Sequence, residues 1–210
     1  MDRGYSVAML IDLTLRDFAE SVAAKASTPG GGSVSAYAAA LGASLGIMAA
    51  RYSEGTAAAD AARALEGLKD RFIGLVDKDT EAYSKVSSAY GLPKKSDEEK
   101  AKRRAAIQAA LVDAAAVPLQ GMRSAVEALK ALEPLSPACN RNLASDLAGG
   151  VLLLKSGLDG CSWNVRINAA SLTDAARRSA LESECGRLLS EGSSRAEAVL
   201  AHAARLVAKS

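Results

Sequence analysis

Aromatic residues make up only 4% of this 210-residue sequence, and histidine occurs once, as His202. Few rings and no alternating strand pattern exclude a sandwich or barrel of β-branched strands. His202 falls in the last helical segment near the C-terminus, away from any serine or cysteine it could activate, so no Ser-His or Cys-His nucleophile is signalled. Cysteine is equally scarce. Cys139, Cys161 and Cys185 are odd in number and widely spaced, which excludes a disulfide framework and a zinc site and predicts reduced thiols. No charge excess is present either: 26 Lys and Arg against 24 Asp and Glu leave a net charge of +2, without the footprint of a nucleic-acid binder. The start, Met1 to Tyr5, has no apolar leader, and the expected location is the cytoplasm.

What is abundant is Ala, Leu, Val and Gly, a composition suited to close-packed helices. Length and patterning predict one all-α domain over residues 1–210, a helical bundle. Thr14 starts a first helix with Leu15, Phe18, Ala19 and Val22 on one side. An uncharged stretch from Lys25 to Arg51 follows, long enough to span a bilayer but rich in Gly, Ser and Ala. Ala38, Gly42, Gly46 and Ala50 recur every four residues along it. It is read as a central helix buried on all sides, partly by a second subunit, rather than as a membrane anchor. Gly55-Thr56 opens a long helix whose stripe is Leu65, Leu68, Phe72, Leu75, Val76, Tyr83 and Val86, ending at Gly91-Leu92-Pro93. Ser96-Asp97-Glu98-Glu99 is a capping box for the next, expected to bend at Pro118 and end near Leu132, with a loop over Glu133 to Pro137. A fifth helix is expected over Asn140 to Leu158, a short one over Trp163 to Ala170, and a last one capped by Thr173.

Chemistry is signalled where polar groups interrupt this apolar pattern. In Pro29-Gly30-Gly31-Gly32-Ser33 the three glycines open a helix with bare N–H groups that an anion can approach; a tight turn between packed helices is the other reading. The glycines follow a helix, not a strand, which excludes a P-loop or dinucleotide fingerprint. Asp79 sits on the stripe of its helix, three and four residues from Val76, Leu75 and Tyr83. A carboxylate among apolar neighbours has a raised pKa, suited to giving and taking a proton near neutrality; a structural bond to a helix end or an arginine would place it there too. Asp146 stands beside the stripe of Leu143, Leu147, Val151 and Leu154. Asn140 and Asn142 precede it, while Asn164 and Asn168 lie one turn apart. Asparagine offers both donor and acceptor, as the edge of a pterin or purine requires, and it also caps helices.

Taken together, Thr28-Pro29-Gly30-Gly31-Gly32-Ser33, Asp77-Lys78-Asp79-Thr80-Glu81-Ala82-Tyr83, Gly91-Leu92-Pro93-Lys94, Asn140-Arg141-Asn142-Leu143-Ala144-Ser145-Asp146 and Asn164-Val165-Arg166-Ile167-Asn168 resemble the cyclodeaminase/cyclohydrolase family of folate enzymes. The resemblance runs from about Leu13 to the last helix, and departs at Cys139, where relatives usually carry Gly. It implies an all-α fold, a homodimer joined through helices, and a tetrahydrofolate derivative as substrate, with no metal and no other cofactor. It places the catalytic aspartate on Asp79. Pro29 to Ser33, Asp77, Asn140, Asn142, Asp146, Asn164 and Asn168 become substrate-binding residues, and Lys94 and Lys95 can attract the glutamate tail. The formiminotransferase domain of the bifunctional relatives is not expected. The implied reaction makes or breaks the C–N bond at the 5,10-methenyl carbon. It is either cyclodeaminase chemistry that releases ammonia or cyclohydrolase chemistry that consumes water. The alternative is a non-catalytic dimeric folate-binding or scaffold module.

Overall fold

A computed structural model describes residues 9–208, and among these it contains helices and no strand. After a 3-10 turn at Leu10–Asp12 come α1 (Leu15–Ala23), α2 (Gly31–Arg51), α3 (Thr56–Tyr90), α4 (Asp97–Leu135), α5 (Ala144–Ala170) and α6 (Ala175–Ala208). Helices α2 to α5 run alternately up and down as a four-helix square. Each neighbouring pair is antiparallel: Ser33 meets Asp79, Arg71 meets Glu127, Gly121 meets Cys161 and Gly31 meets Asn164. Helix α6 lies against α5 and α4, tied to α4 by the Arg123–Glu184 and Arg195–Glu133 pairs. One apolar cluster draws on all five long helices and fills the square with Leu65, Phe72, Leu75, Met122, Leu129, Leu154 and Leu158, all 2% exposed or less.

The small-residue periodicity of α2 has a direct packing cause. At the crossing with α5, a Cβ on Gly42 would stand 2.6 Å from the carbonyl oxygen of Gly150, so the two backbones touch where neither has a side chain. Eleven residues of α2 are buried, but Val34 and Leu41 are exposed. The helix is therefore not buried on all sides within one chain. By length and composition, α2 and part of the Asp97–Ala138 stretch could cross a membrane. In the fold, α2 is instead a core helix clasped between α3 and α5.

Several boundaries differ from the sequence reading. The capping box forms as expected, Ser96 Oγ accepting from Glu99 N and Glu99 Oε2 accepting from Ser96 N. Helix α4 then continues through Pro134 to Leu135 instead of ending near Leu132, because another turn buries Leu135 completely. The fifth helix is continuous from Ala144 to Ala170, with no break between Leu158 and Trp163. Gly157 and Gly160, in the stretch where the break was expected, face α2: a Cβ on Gly157 would lie 2.7 Å from that of Ala39. Asp174, not Thr173, caps α6, accepting from Arg177 N three residues on, while Thr173 bonds to Gln108. On α1, Leu15 and Val22 are exposed, and only Phe18 packs inward, against Tyr37. The three cysteines are free and buried.

Candidate active site

The antiparallel square puts the Thr28–Gly31 turn, the C-terminal half of α3, the N-terminal half of α4 and the C-terminal half of α5 at one end. There they enclose a cleft of about 350 Å³. Asp79, Tyr83, Val86 and Tyr90 line it from α3 at helical spacing, and Asn164, Ile167, Asn168 and Ser171 from α5; Leu111 and Ala114 of α4 form its floor. Ser27, Thr28, Gly30 and Gly31 close the inner end around Asp79. From Asp79 to Tyr90 the cleft follows α3 for about 16 Å, at roughly 1.5 Å per residue. Tyr83, expected in the core, is 44% exposed on the cleft wall. Tyr90, Leu111, Ile167 and Ser171 went unread as site residues. For Tyr90, Ile167 and Ser171 the signal was the continuation of the Asp79 and Asn164 faces, at i+11 from Asp79 and at i+3 and i+7 from Asn164; Leu111, on α4, had no such signal.

Asp79 is held by the first turn of α2. Its Oδ2 accepts from Ser33 N at 2.9 Å and lies 3.2 Å from Ser33 Oγ, whose hydroxyl also reaches the Val76 carbonyl at 2.7 Å. Oδ1 accepts no hydrogen bond from the described residues. It faces Gly32, where any Cβ would overlap it at 2.1 Å, so only glycine lets the carboxylate seat against the helix start. Burial pushes the Asp79 carboxyl above the usual aspartate value, and the two Ser33 bonds partly offset that rise. Among the described residues no Lys or Arg lines the cleft to hold the group ionised. Behind it, the Cys161 thiol is pushed up to about 12, first by burial and then by the Asp79 charge, so it stays a neutral core group.

The asparagines on α5 have defined hydrogen-bond states. Asn168 Nδ2 donates to Asn164 O at 3.0 Å and to Ala114 O at 3.1 Å. The second acceptor exists because Pro118, four residues on, has no N–H to give that carbonyl. With both donors spent, Asn168 offers the cleft an acceptor. Asn164 Nδ2 donates to Gly160 O at 2.9 Å and keeps one N–H and its Oδ1.

The other predicted site residues lie elsewhere in the chain. Ser33 is fully buried, so its side chain serves Asp79 and Val76 rather than the cleft. Asp77 Oδ1 accepts from Leu10 N at 2.6 Å, anchoring the N-terminal turn on α3, and its buried Oδ2 has no hydrogen-bond partner among the described residues. Asn140 closes the opposite end of the square: its side chain accepts from Asn142 N and donates to Tyr52 O, and its own N–H donates to Ser53 Oγ. Asp146 sits in the first turn of α5 at that same end. The 21 residues of α2, about 30 Å of helix, separate this group from Asp79. A roomier groove of about 570 Å³ also lies at that end, walled by alanines and Pro134 between α3 and α4. Its carboxylates Asp60 and Glu127 face Arg63 and Arg71 as surface ion pairs, leaving none free for chemistry. Among the described residues no group of three or more His, Cys, Asp or Glu comes together as a metal site.

The cleft thus pairs a carboxylate, one oxygen anchored and one free, with amide groups and tyrosines. Such a site can relay a proton and stabilise a cation in one place. Comparison with known proteins points the same way. The sequence model of the formiminotransferase-cyclodeaminase family matches residues 14–187. A methenyltetrahydrofolate cyclohydrolase of Methylorubrum extorquens is 39% identical over 78% of this chain and 82% of its own. The formimidoyltransferase-cyclodeaminase of Rattus norvegicus is 34% identical over 91% of this chain, which spans 37% of that protein's length. The crystal structure of a formiminotetrahydrofolate cyclodeaminase from Thermotoga maritima superposes with a TM-score of 0.75 at 27% identity, covering 94% of this chain and 97% of that one. With the helical order, the glycine turn and the seated aspartate all accounted for, this chain belongs to the formiminotransferase-cyclodeaminase family.

Proposed function

We propose that this chain is a one-carbon folate enzyme that makes or breaks the C–N bond at the 5,10-methenyl carbon of tetrahydrofolate. The observation that carries the reading is Asp79, seated on the α2 start with a raised pKa and a free Oδ1 at the closed end of a folate-length cleft. In the hydrolytic direction the carboxylate takes a proton from water as its oxygen adds to the cationic methenyl carbon. The proton passes to N5, the C–N5 bond breaks, and the adduct hydroxyl releases its proton to solvent, leaving the 10-formyl compound. In the deaminating direction N10 of the protonated 5-formimino compound attacks the formimino carbon and gives its proton to Asp79. That proton then goes to the departing nitrogen, and ammonia leaves as the methenyl cation forms. Both cations sit beside a carboxylate in a water-poor site, where the attraction is strengthened. Asn164 and Asn168 would hold the pterin edge, and Gly30 and Gly31 would let it approach the α2 start.

The compartment consistent with three free, buried cysteines is the reducing cytoplasm. The expected assembly is a homodimer through the outer side of α2, where Val34 and Leu41 are exposed. A two-fold axis across α2 exchanges its ends. Asn142 and Asp146 of the partner subunit would then approach the cleft that their own chain keeps them from.

The reading is tested by giving purified protein 5,10-methenyl- and 5-formimino-tetrahydrofolate separately and following the methenyl absorbance. Loss of absorbance identifies the cyclohydrolase, and its appearance the cyclodeaminase. Asp79→Asn is expected to lose about 10²- to 10⁴-fold in kcat while still folding. No turnover of either compound, or full activity in that variant, overturns the proposal.

A further inference from the structure

A second hydroxyl stands behind the seated carboxylate, and the proton steps at Asp79 leave it unused. Thr80 follows Asp79 on α3, half-buried, and its Oγ1 lies 3.4 Å from Ser33 Oγ. Among the described residues the Thr80 side chain has no other hydrogen-bond neighbour. A threonine in a helix interior commonly returns its hydroxyl to the carbonyl one turn back, which here is Val76 O; Thr80 points to Ser33 instead. The fully buried Ser33 hydroxyl is thereby ringed by three oxygens: Val76 O at 2.7 Å, Asp79 Oδ2 at 3.2 Å and Thr80 Oγ1 at 3.4 Å.

Proton counting gives this ring a direction. A serine hydroxyl has one proton to donate and two lone pairs with which to accept. The Val76 carbonyl and the ionised Asp79 carboxylate only accept, so they compete for that one proton. Of the three neighbours, Thr80 alone can donate to Ser33. Val76 O sits inside α3 and already takes the Thr80 main-chain N–H, four residues on. It loses little when the Ser33 proton turns away, whereas Asp79 Oδ2 has only the Ser33 amide besides. A hydroxyl that accepts a bond donates a stronger one, because each bond polarises the next.

We propose that Thr80 is a positioning residue for Asp79: its hydroxyl donates to Ser33 Oγ and turns the Ser33 proton from Val76 O onto Asp79 Oδ2. The inference rests on the reading of Asp79 as the proton-relay group and adds the residue that helps set when it is charged. No ion competes for that role among the described residues. Between Gly31 and Ala50, α2 has no charged side chain. From α4 the cleft presents Leu111 and Ala114, and from α5 Asn164, Asn168 and the neutral Cys161. On α3 itself Tyr83 lines the cleft, Asp77 is bound to Leu10, and Lys78 and Glu81 are exposed.

The test removes the Thr80 hydroxyl and reads two quantities: the acid limb of kcat, and the Asp79 carboxyl-carbon NMR titration without substrate. Thr80→Val should move both to higher pH by about 0.5 unit, the scale of a weak hydrogen bond. Thr80→Ala, which suits a helix better, should move them the same way, and Thr80→Ser, which keeps the hydroxyl, should leave both at the wild-type pH. In a Ser33→Ala background the Thr80 changes should move neither, because the oxygen between the two residues is gone. An Asp79 titration that stays at the wild-type pH in Thr80→Val and Thr80→Ala, or that shifts equally with and without Ser33, overturns the inference and leaves Thr80 as a packing residue. Failure of the folate reading looks different: the NMR shift persists while neither folate compound changes the methenyl absorbance.

Discussion

At the scale of single residues, the chemistry depends on how one hydroxyl proton is shared. Ser33 has a single O–H to offer, and both the Val76 carbonyl and Asp79 Oδ2 lie within its reach. With Asp79 ionised, the hydroxyl and the Ser33 amide both favour the charged form; with Asp79 protonated, the hydroxyl can turn wholly to Val76. Burial opposes ionisation more strongly, so the net direction is upward. Proton abstraction needs the ionised form, so activity should rise with pH through the Asp79 pKa. Ser33→Ala removes one of the two contacts that lower that pKa. The acid limb of the kcat profile should therefore move to higher pH, while the amide contact keeps the carboxylate in place. A limb that stays put, or moves to lower pH, would show that the hydroxyl does not act on the carboxylate. Among the described residues no Lys or Arg lines the cleft, and the nearby Cys161 is neutral.

At the scale of helices, Pro118 and Asn168 form one device split between α4 and α5. Proline in a helix interior withdraws the N–H owed to the carbonyl four residues back, and Asn168 Nδ2 supplies a donor from across the cleft floor. Asn168→Leu should therefore strand the Ala114 carbonyl and destabilise the fold by about 1–3 kcal/mol in urea denaturation. In a Pro118→Ala background the helix regains its own N–H, and the cost of the same change should shrink markedly. Equal costs in the two backgrounds would mean that the asparagine does not answer the proline. Pairings of this kind are invisible in one dimension: the sequence shows a proline and an asparagine but not that they meet. What was legible was whatever depends on local periodicity. The α3 stripe, the Thr14 cap, the Ser96 capping box and the stop at Gly91 all follow from neighbouring residues. Errors arose where a long-range contact reversed a local signal. A break was expected between Leu158 and Trp163, whereas Gly157 and Gly160 hold the helix against Ala39 and Ser35 of α2, more than a hundred positions away. Tyr83 read as core for the same reason, since the cleft it borders is built from three other segments.

At the scale of the whole molecule, the motif residues fall into two groups at opposite ends of α2. Asp79, Asn164 and Asn168 share the cleft end; Asn140, Asn142 and Asp146 share the other. Sequence reading placed all of them in one site, because distance along a chain says nothing of which end of a bundle a residue occupies. Asn140 is accounted for as the tie between the α2–α3 turn and the start of α5. Asp146, in the first turn of α5, makes no hydrogen bond or ion pair among the described residues. The proposed two-fold pairing through the outer side of α2 would bury Val34 and Leu41 and bring the partner subunit's Asp146 toward Asp79, making two sites that each draw on both chains. This arrangement predicts complementation. Asp79→Asn and Asp146→Asn homodimers should each be nearly inactive, with unchanged size by light scattering. When the two are unfolded together and refolded, half of the dimers are mixed. Each mixed dimer holds one site with both defects and one with neither, so activity should return to about a quarter of wild type. If each cleft works within its own chain, every site in the mixture keeps one defect and no activity returns. Leu41→Glu adds an independent reading: placed on the pairing face, it should yield monomers whose cleft is intact but lacks the partner's carboxylate, and turnover should fall with the dimer fraction.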